Sequence, residues 1–162
     1  EQAPRATVQE TVLKALHSLE PKAFEEFIAD FLNVLGFDAE ATNYVGDGGI
    51  DVTGTLNANG LANVGMAIQV KRTRSNVGND VVLKTRGALA VDEQGAIITL
   101  GGFTKSAILE SEAEGKKTIR LIDGDSLVKM LLHNWDELSD EVQNRLGVKR
   151  KEVDLADGFV VG

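Results

Sequence analysis

The sequence has no cysteine and only two histidines among its 162 residues. The missing cysteines exclude a disulfide framework and a thiolate metal site, and they agree with a reducing, cytoplasmic location. His17 and His133 are isolated from each other, so we expect them at helix surfaces or core edges rather than as general bases. No apolar run approaches the length of a membrane span and no signal peptide is recognisable, so we expect no membrane association.

Positive charge is also scarce, because 17 Lys and Arg residues face 25 Asp and Glu residues, which gives a net charge of -8. This balance argues against unaided, non-specific binding of nucleic acid, which usually needs a basic field. One stretch departs from it, since five basic residues outweigh the single acid Asp80. It predicts either a DNA-contacting surface or a solvated strand end and helix. The basic residues are Lys71, Arg72, Arg74, Lys84 and Arg86.

Two short segments alternate apolar and polar residues as β-strands do. Residues 50–53 and 66–71 each place apolar side chains on one face and mostly polar ones on the other. The turn-forming residues 57–60 between them predict an antiparallel hairpin with a long loop.

The hydrophobic pattern also predicts how the two strands of this hairpin pair. A pivot near Gly60 sets Asp51 opposite Gln69 and Val52 opposite Ile68. A slip of one residue would instead place core side chains opposite polar ones, so the pattern favours this register. The polar residues of the hairpin then converge on one spot.

These polar residues suit a metal-dependent reaction at a phosphodiester. Asp51 and Gln69 offer a carboxylate and an amide oxygen, which are hard ligands for Mg²⁺ or Mn²⁺, and the backbone carbonyl of Val70 is a further ligand. Such a metal polarises a phosphodiester and activates water, and Lys71 can stabilise charge on the phosphate or orient the water. The alternative is a turn aspartate and a solvated strand, which the spacing alone leaves open.

A strongly amphipathic helix over residues 24–35, closed by Gly36, adds a further acid. Its apolar arc is bordered by Glu25, whereas Glu26 points to the opposite side. An acid at the border of a buried stripe can reach a neighbouring site, so Glu25 is the candidate.

The remaining pattern predicts one α/β domain with a mixed sheet of about five strands flanked by helices. We expect this domain to span residues 1–135, with its core at 22–133, and residues 136–162 to be an extension or the edge of the same domain. The predicted helices are a first amphipathic one carrying Val8 to Leu16, the helix of Glu25, and those at 79–90, 105–114 and 125–133; the strands are 38–45, 50–56, 64–71, 96–100 and 118–122.

The segment Gly101–Thr104 joins a predicted strand to a predicted helix. Thr104 can cap that helix, or free amides at the same place can receive a DNA phosphate. Capping is the more common use of such a residue.

In order and spacing, these segments resemble the Mrr-type endonucleases of the PD-(D/E)xK restriction-nuclease superfamily. The resemblance covers roughly residues 24–132. It implies that Asp51 is the metal-binding acid, that Gln69 replaces the usual second acid, that Lys71 is the catalytic lysine and that Glu25 is the helix acid beside the site. The motifs are Phe24-Glu25 with Leu35-Gly36-Phe37, Gly46 to Asp51, Gln69-Val70-Lys71, Thr99 to Phe103, and Leu121 to Gly124.

The resemblance implies a Mg²⁺- or Mn²⁺-dependent DNA endonuclease, the cleavage part of a restriction enzyme directed at modified, for example methylated, DNA. The neutral Gln69 lowers the negative charge that holds a metal, so we expect metal binding to depend on a DNA phosphate. A homodimer or higher oligomer is expected for double-strand cleavage. Because the sequence begins at Glu1 rather than Met, we expect either a trimmed chain or a part of a longer protein. A longer protein is expected to carry a separate DNA-recognition domain.

Two other functions fit the same residues. A catalytically silent DNA-binding or assembly module would keep this fold, since fold does not fix activity. A Holliday-junction resolvase-like nuclease is the closer alternative, because the superfamily contains such enzymes.

Overall fold

The computed structural model describes residues 7–43, 49–150 and 159–162, and its centre is a five-stranded mixed sheet. The strands β1, β2 and β3 pair antiparallel, and β3, β4 and β5 pair parallel. This confirms the predicted mixed sheet. In order across the sheet the strands are β1 Asp38–Ala41, β2 Val52–Asn57, β3 Asn63–Lys71, β4 Glu93–Thr99 and β5 Ile119–Ile122.

Two parts of the sequence prediction lie outside the described residues. They are the end of the predicted first strand beyond residue 43 and the Gly46–Gly48 part of the glycine-rich motif.

Five helices surround the sheet, and most of them begin at a residue suited to that position. Thr7 and Glu10 form a capping box at the first helix, and Pro21 occupies the first position of the second. The side chains of Thr104 and Asp123 accept backbone N–H bonds at the starts of two later helices. The helices are α1 Val8–His17, α2 Pro21–Val34, α3 Asn79–Gly87, α4 Lys105–Ser111 and α5 Gly124–His133.

The β2–β3 hairpin has the register that the hydrophobic pattern predicts. Val52 lies opposite Ile68, and both side chains are buried in the main core. The connecting loop turns through Asn59 and Gly60, whose φ angles of 53° and 78° are in the left-handed region. Both residue types tolerate this conformation, so the turn and the core select the same pairing.

The two faces of the sheet are covered by different cores. The larger core joins α1, α2 and α5 to the face that carries Val52 and Ile68. A smaller core joins α3 and α4 to the other face, with Val82 and Ile97 fully buried in it. The polar face of β3 is therefore covered by α3, so residues on it are held between two elements.

Residues beyond Trp135 form a short 3₁₀ helix, Trp135–Glu137, then α6 Asp140–Arg145, β6 Val148–Arg150 and β7 Phe159–Val161. Leu146 and Val148 belong to the main core. The Trp135 ring meets Phe159 edge-on, with ring centroids 5.1 Å apart. This segment thus packs against the main core. Within the described part of the chain, no helix has both the length and the apolarity needed to cross a membrane.

Candidate active site

Asp51 lies immediately before β2, where the backbone is still tied to β3. Its N–H donates to the carbonyl of Ile68 at 2.9 Å, and its Oδ2 accepts from the N–H of Val70 at 2.7 Å. The carboxylate is therefore held against the residue that separates Gln69 from Lys71. This geometry follows directly from the register of the hairpin.

Glu25 reaches the same place from the second turn of α2. Its side chain is half-buried, whereas the neighbouring Glu26 is exposed, which confirms the predicted difference between the two helix faces. Lys22 lies one turn earlier, with Nζ 3.6 Å from Glu25 Oε2, and also donates to the carbonyl of Thr42 at 3.0 Å. Lys22 thus links the start of α2 to the strand region beside Asp51.

The Asp51 carboxyl is buried beside Glu25. The pKa of Asp51 is raised from its ordinary value of 3.8 to about 6, chiefly because the group is buried. The charge of Glu25 and a hydrogen bond between the two side chains raise it further, while the Val70 N–H and the charge of Lys71 lower it. The structure therefore brings Glu25, Asp51 and Lys71 together.

Gln69 lies on β3 under α3 and is only 6% exposed. Its Oε1 accepts a hydrogen bond from the Thr85 hydroxyl at 2.7 Å. Its Nε2 faces Gly49, where an added Cβ atom would lie only 2.6 Å away. Gly49 has a φ of 69°, so glycine is favoured there both by the backbone and by the space for the amide.

Lys71 ends β3 and borders a solvent-open groove of about 390 Å³. Glu25 and the backbone around Val70 line the same groove. A substrate group placed here would meet the acid of α2 and the ammonium of Lys71 together.

The predicted basic residues divide into two groups. Arg72 and Arg74 follow Lys71 directly, in the loop between β3 and α3. Arg72 donates to the carbonyl of His17 at 2.5 Å, and Arg74 is exposed. Lys84 is exposed on α3.

Arg86 and Thr104, like Arg72, have partners within the fold. The Arg86 side chain is 14% exposed and binds Glu110 at 2.6 Å and the carbonyl of Lys117 at 2.8 Å, so it ties α3 to the end of α4. This pairing holds the pKa of Glu110 below its usual range. Thr104 accepts from the N–H of Ala107 at 3.1 Å as the N-cap of α4. Of the two uses predicted for Thr104, the contact seen in the structure is the helix cap.

The donor set at the site fits a hard divalent cation. Glu25 and Asp51 supply two carboxylates, and Val70, whose N–H binds Asp51, supplies a backbone carbonyl. The amide of the adjacent Gln69 is a further oxygen ligand, although its oxygen is hydrogen-bonded to Thr85 here. Within the described residues, no cluster of three or more His, Cys, Asp and Glu residues could hold a metal. A cation here would therefore rely on neutral and exogenous oxygens besides the two acids.

Sequence patterns alone did not single out Thr85 or Lys22, and they included Gly49 only as part of the glycine-rich motif. Thr85 carried a usable signal, because it is a polar residue on the apolar side of α3, near the buried Val82. Its contact with Gln69 depends on how α3 packs across β3, which local patterns do not specify.

The family of the chain is shown by comparison with known proteins. A family model described as restriction endonuclease, Mrr_cat, matches residues 16–131, which is most of the chain. No curated protein matches the sequence.

Two solved structures share the fold. The DNA modification-dependent restriction endonuclease AspBHI superimposes with a TM-score of 0.68 and 17% identity, over 90% of this chain and 42% of that one. The MspJI restriction endonuclease in complex with a 27-mer oligonucleotide gives a TM-score of 0.63 and 17% identity, over 90% of this chain and 39% of that one. The chain spans about two fifths of the length of either protein. It belongs to the Mrr-type restriction endonuclease family, as a catalytic domain with the restriction-endonuclease fold.

Proposed function

We propose that this chain is the cleavage domain of a metal-dependent endonuclease that hydrolyses phosphodiester bonds in DNA. The observation that carries the proposal is the approach of Glu25 and Asp51 to each other beside Lys71. Two carboxylates in one half-buried place repel each other when both are ionised, and a divalent cation relieves that repulsion. The raised pKa of Asp51 supports such a site, because strongly shifted carboxyls cluster at functional positions.

Asp51, Gln69 and the Val70 carbonyl would hold Mg²⁺ or Mn²⁺, with Glu25 as the second acid. The cation, when bound, supplies Lewis-acid polarisation of the phosphodiester and activation of water. Lys71 places a positive charge at the mouth of the groove, where charge on the phosphate grows during cleavage. The Val70 N–H fixes the Asp51 carboxylate, so little reorganisation is needed when substrate arrives.

The DNA backbone would lie along the loop that follows Lys71. Arg74 is exposed in this loop, and the loop packs closely against Gly101, where an added Cβ would lie 2.4 Å from the carbonyl oxygen of Ser75. A basic side chain on a well-packed loop can contact phosphate with little loss of conformational entropy. We assign Arg72 and Arg74 to this surface, with Lys84 at its margin. We do not assign Arg86 or Thr104 to this surface, because their side chains bind other parts of the fold.

The substrate class we propose is modified DNA, recognised by another part of a longer parent chain. The support is the family together with the name of AspBHI, which describes a DNA modification-dependent enzyme. The chain covers only about two fifths of each related structure, which leaves room for a recognition domain in such proteins. We propose a cytoplasmic location, and a dimer for double-strand cleavage.

The test is cleavage of methylated and unmethylated plasmids by the 162-residue chain with Mg²⁺, Mn²⁺ or EDTA. We expect metal-dependent cleavage that falls about 10²- to 10³-fold in Lys71→Ala, because a charge that stabilises the transition state is lost. The matched control is Lys149→Ala, because Lys149 is an exposed lysine on β6. It is expected to cleave as the wild type does.

Equal cleavage by Lys71→Ala and wild type would overturn the proposed role of the site. DNA binding without cleavage under any metal condition, also in the full-length parent protein, would favour a catalytically silent module. Preference for a four-way junction over linear and methylated duplexes would favour a resolvase-like nuclease.

A further inference from the structure

Thr85 is a fully buried polar residue on the face of α3 that covers β3. Its hydroxyl lies 2.7 Å from Gln69 Oε1 and 2.8 Å from the carbonyl oxygen of Val81. A threonine in a helix often bonds the carbonyl four residues earlier, so the Val81 contact is ordinary. The Gln69 contact is different, because it joins α3 to the polar face of the hairpin that also carries Asp51 and Lys71.

The Thr85 hydroxyl has one proton and two acceptors within reach. It can donate to Gln69 or to Val81, but not fully to both at once. The hydroxyl oxygen can also accept a hydrogen bond. Its two present partners are carbonyl oxygens, which cannot donate one. Thr85 therefore has two complete bonding patterns, one as donor to Gln69 and one as acceptor from it.

The amide of Gln69 has two matching orientations. Its oxygen and its NH₂ group are nearly the same size, so a half-turn of the amide exchanges them in the same space. In the orientation described above, Oε1 faces Thr85 and Nε2 faces Gly49, two residues before Asp51. Only an oxygen can bind a divalent cation, so this orientation keeps the ligand atom turned away from Asp51.

We propose that Thr85 is a positioning residue that allows the Gln69 amide to turn its oxygen toward the cation site. After the half-turn, Nε2 donates to Thr85 Oγ and the Thr85 hydroxyl donates to the Val81 carbonyl. The Thr85 hydroxyl and the Gln69 NH₂ group then remain hydrogen-bonded, and Oε1 is directed toward the Asp51 side, where the cation would be its partner. The inference rests on the proposed function, because the orientation matters only if the site binds a cation.

Two substitutions separate this role from simple packing. Thr85→Val keeps the shape of the side chain but removes the hydroxyl, so the Gln69 amide loses its Thr85 partner in either orientation and is no longer fixed. Thr85→Ser keeps the hydroxyl and loses one methyl group. A packing role predicts damage from both changes, whereas the positioning role predicts damage to the cation site only from Thr85→Val.

The experiment is a titration of the 162-residue chain with Mn²⁺ in the presence of a short DNA duplex, with the duplex alone as the blank. Free Mn²⁺ is followed by electron paramagnetic resonance. We expect Thr85→Val to weaken Mn²⁺ binding by about 10- to 100-fold, the range for loss of a group that orients a metal ligand. Thr85→Ser is expected to bind as the wild type does. Thermal unfolding of each variant checks the fold, and Thr85→Ala replaces Thr85→Val if the latter does not fold.

A second comparison tests whether Thr85 acts through Gln69. In a Gln69→Ala background, Thr85→Val is expected to weaken Mn²⁺ binding no further, because the amide that it orients is gone. A full additional loss there would overturn the inference, as would equal Mn²⁺ binding by Thr85→Val and wild type. Mn²⁺ binding without DNA cleavage by the wild type would count against the proposed function but leave this result readable. No Mn²⁺ binding by the wild type with the DNA duplex present would overturn both.

Discussion

At the scale of single residues, Asp51 lowers the stability of the folded chain, because its ionised carboxylate is buried beside a second acid. The Val70 N–H and the charge of Lys71 favour its ionised form, but burial and Glu25 oppose it more strongly. Because burial and the second acid disfavour the ionised carboxyl, a bound cation would stabilise it, and carboxyls shifted in this way cluster at functional positions. Gly49 and Thr85 both lie against the buried Gln69 amide, which the Thr85 hydroxyl hydrogen-bonds.

The first prediction concerns stability of the metal-free chain. Because the pKa of Asp51 is raised to about 6, the folded chain binds this proton more tightly than the unfolded chain does. Its contribution to the free energy of unfolding should therefore fall as pH rises from about 4 to about 6. Asp51→Asn removes the charge, and we expect it to be near neutral at low pH and stabilising above pH 6, on the order of 1 kcal/mol after screening by solvent.

Urea unfolding in EDTA, below and above this pH window, measures the effect. Asp92→Asn is the matched control, since Asp92 is an exposed aspartate next to β4. The control should shift little between the two conditions. A wild type that is more stable than Asp51→Asn at the higher pH would contradict the assignment.

At the scale of elements, α2 joins the core and the site in one helix. Its apolar side packs Phe24, Phe27 and Ile28 into the main core, and the border of that side presents Glu25 to Asp51. Glu26 points away and is exposed. The helix periodicity thus sorts two adjacent, chemically identical residues into different environments.

This sorting yields a second prediction. Glu25→Gln keeps the size of the side chain but removes one of the two carboxylates, so cleavage of plasmid in Mg²⁺ should fall by at least about tenfold. Glu26→Gln should leave cleavage unchanged. The measurement is the initial rate at several Mg²⁺ concentrations, and added Mg²⁺ should partly restore Glu25→Gln. The reverse ranking of the two variants would contradict the helix-face assignment.

The elements also show how far sequence patterns reach. Alternation predicted β2, β3 and the pairing of Val52 with Ile68, because the two faces of the hairpin differ in polarity. Helix ends were predicted less well: α3 ends at Gly87 instead of residue 90, and α4 at Ser111 instead of residue 114. The bond between Thr85 and Gln69 was not predicted, since it depends on packing between elements rather than on periodicity within one.

At the scale of the whole molecule, the charges are distributed unevenly around the sheet. Acidic residues gather in a groove of about 570 Å³ that includes Asp38, Glu93 and the backbone of Gly65. Lys71 and the arginines after it lie at the other end of β3, roughly 20 Å from Gly65 at the usual rise of a strand. A net charge of -8 is therefore compatible with a basic edge at the proposed site, because the acidic groove lies at the other end of β3.

The last prediction follows from this separation. Arg74→Ala should weaken binding of a short DNA duplex and reduce the slope of log affinity against log salt by about 1, as expected for loss of one phosphate contact. Lys149→Ala removes an equal charge on β6 and should change neither quantity much. Fluorescence anisotropy over a series of salt concentrations, with EDTA to prevent cleavage, measures both quantities. If the two variants lose the same affinity, net charge rather than the loop after Lys71 governs binding, and the proposed DNA surface is wrong.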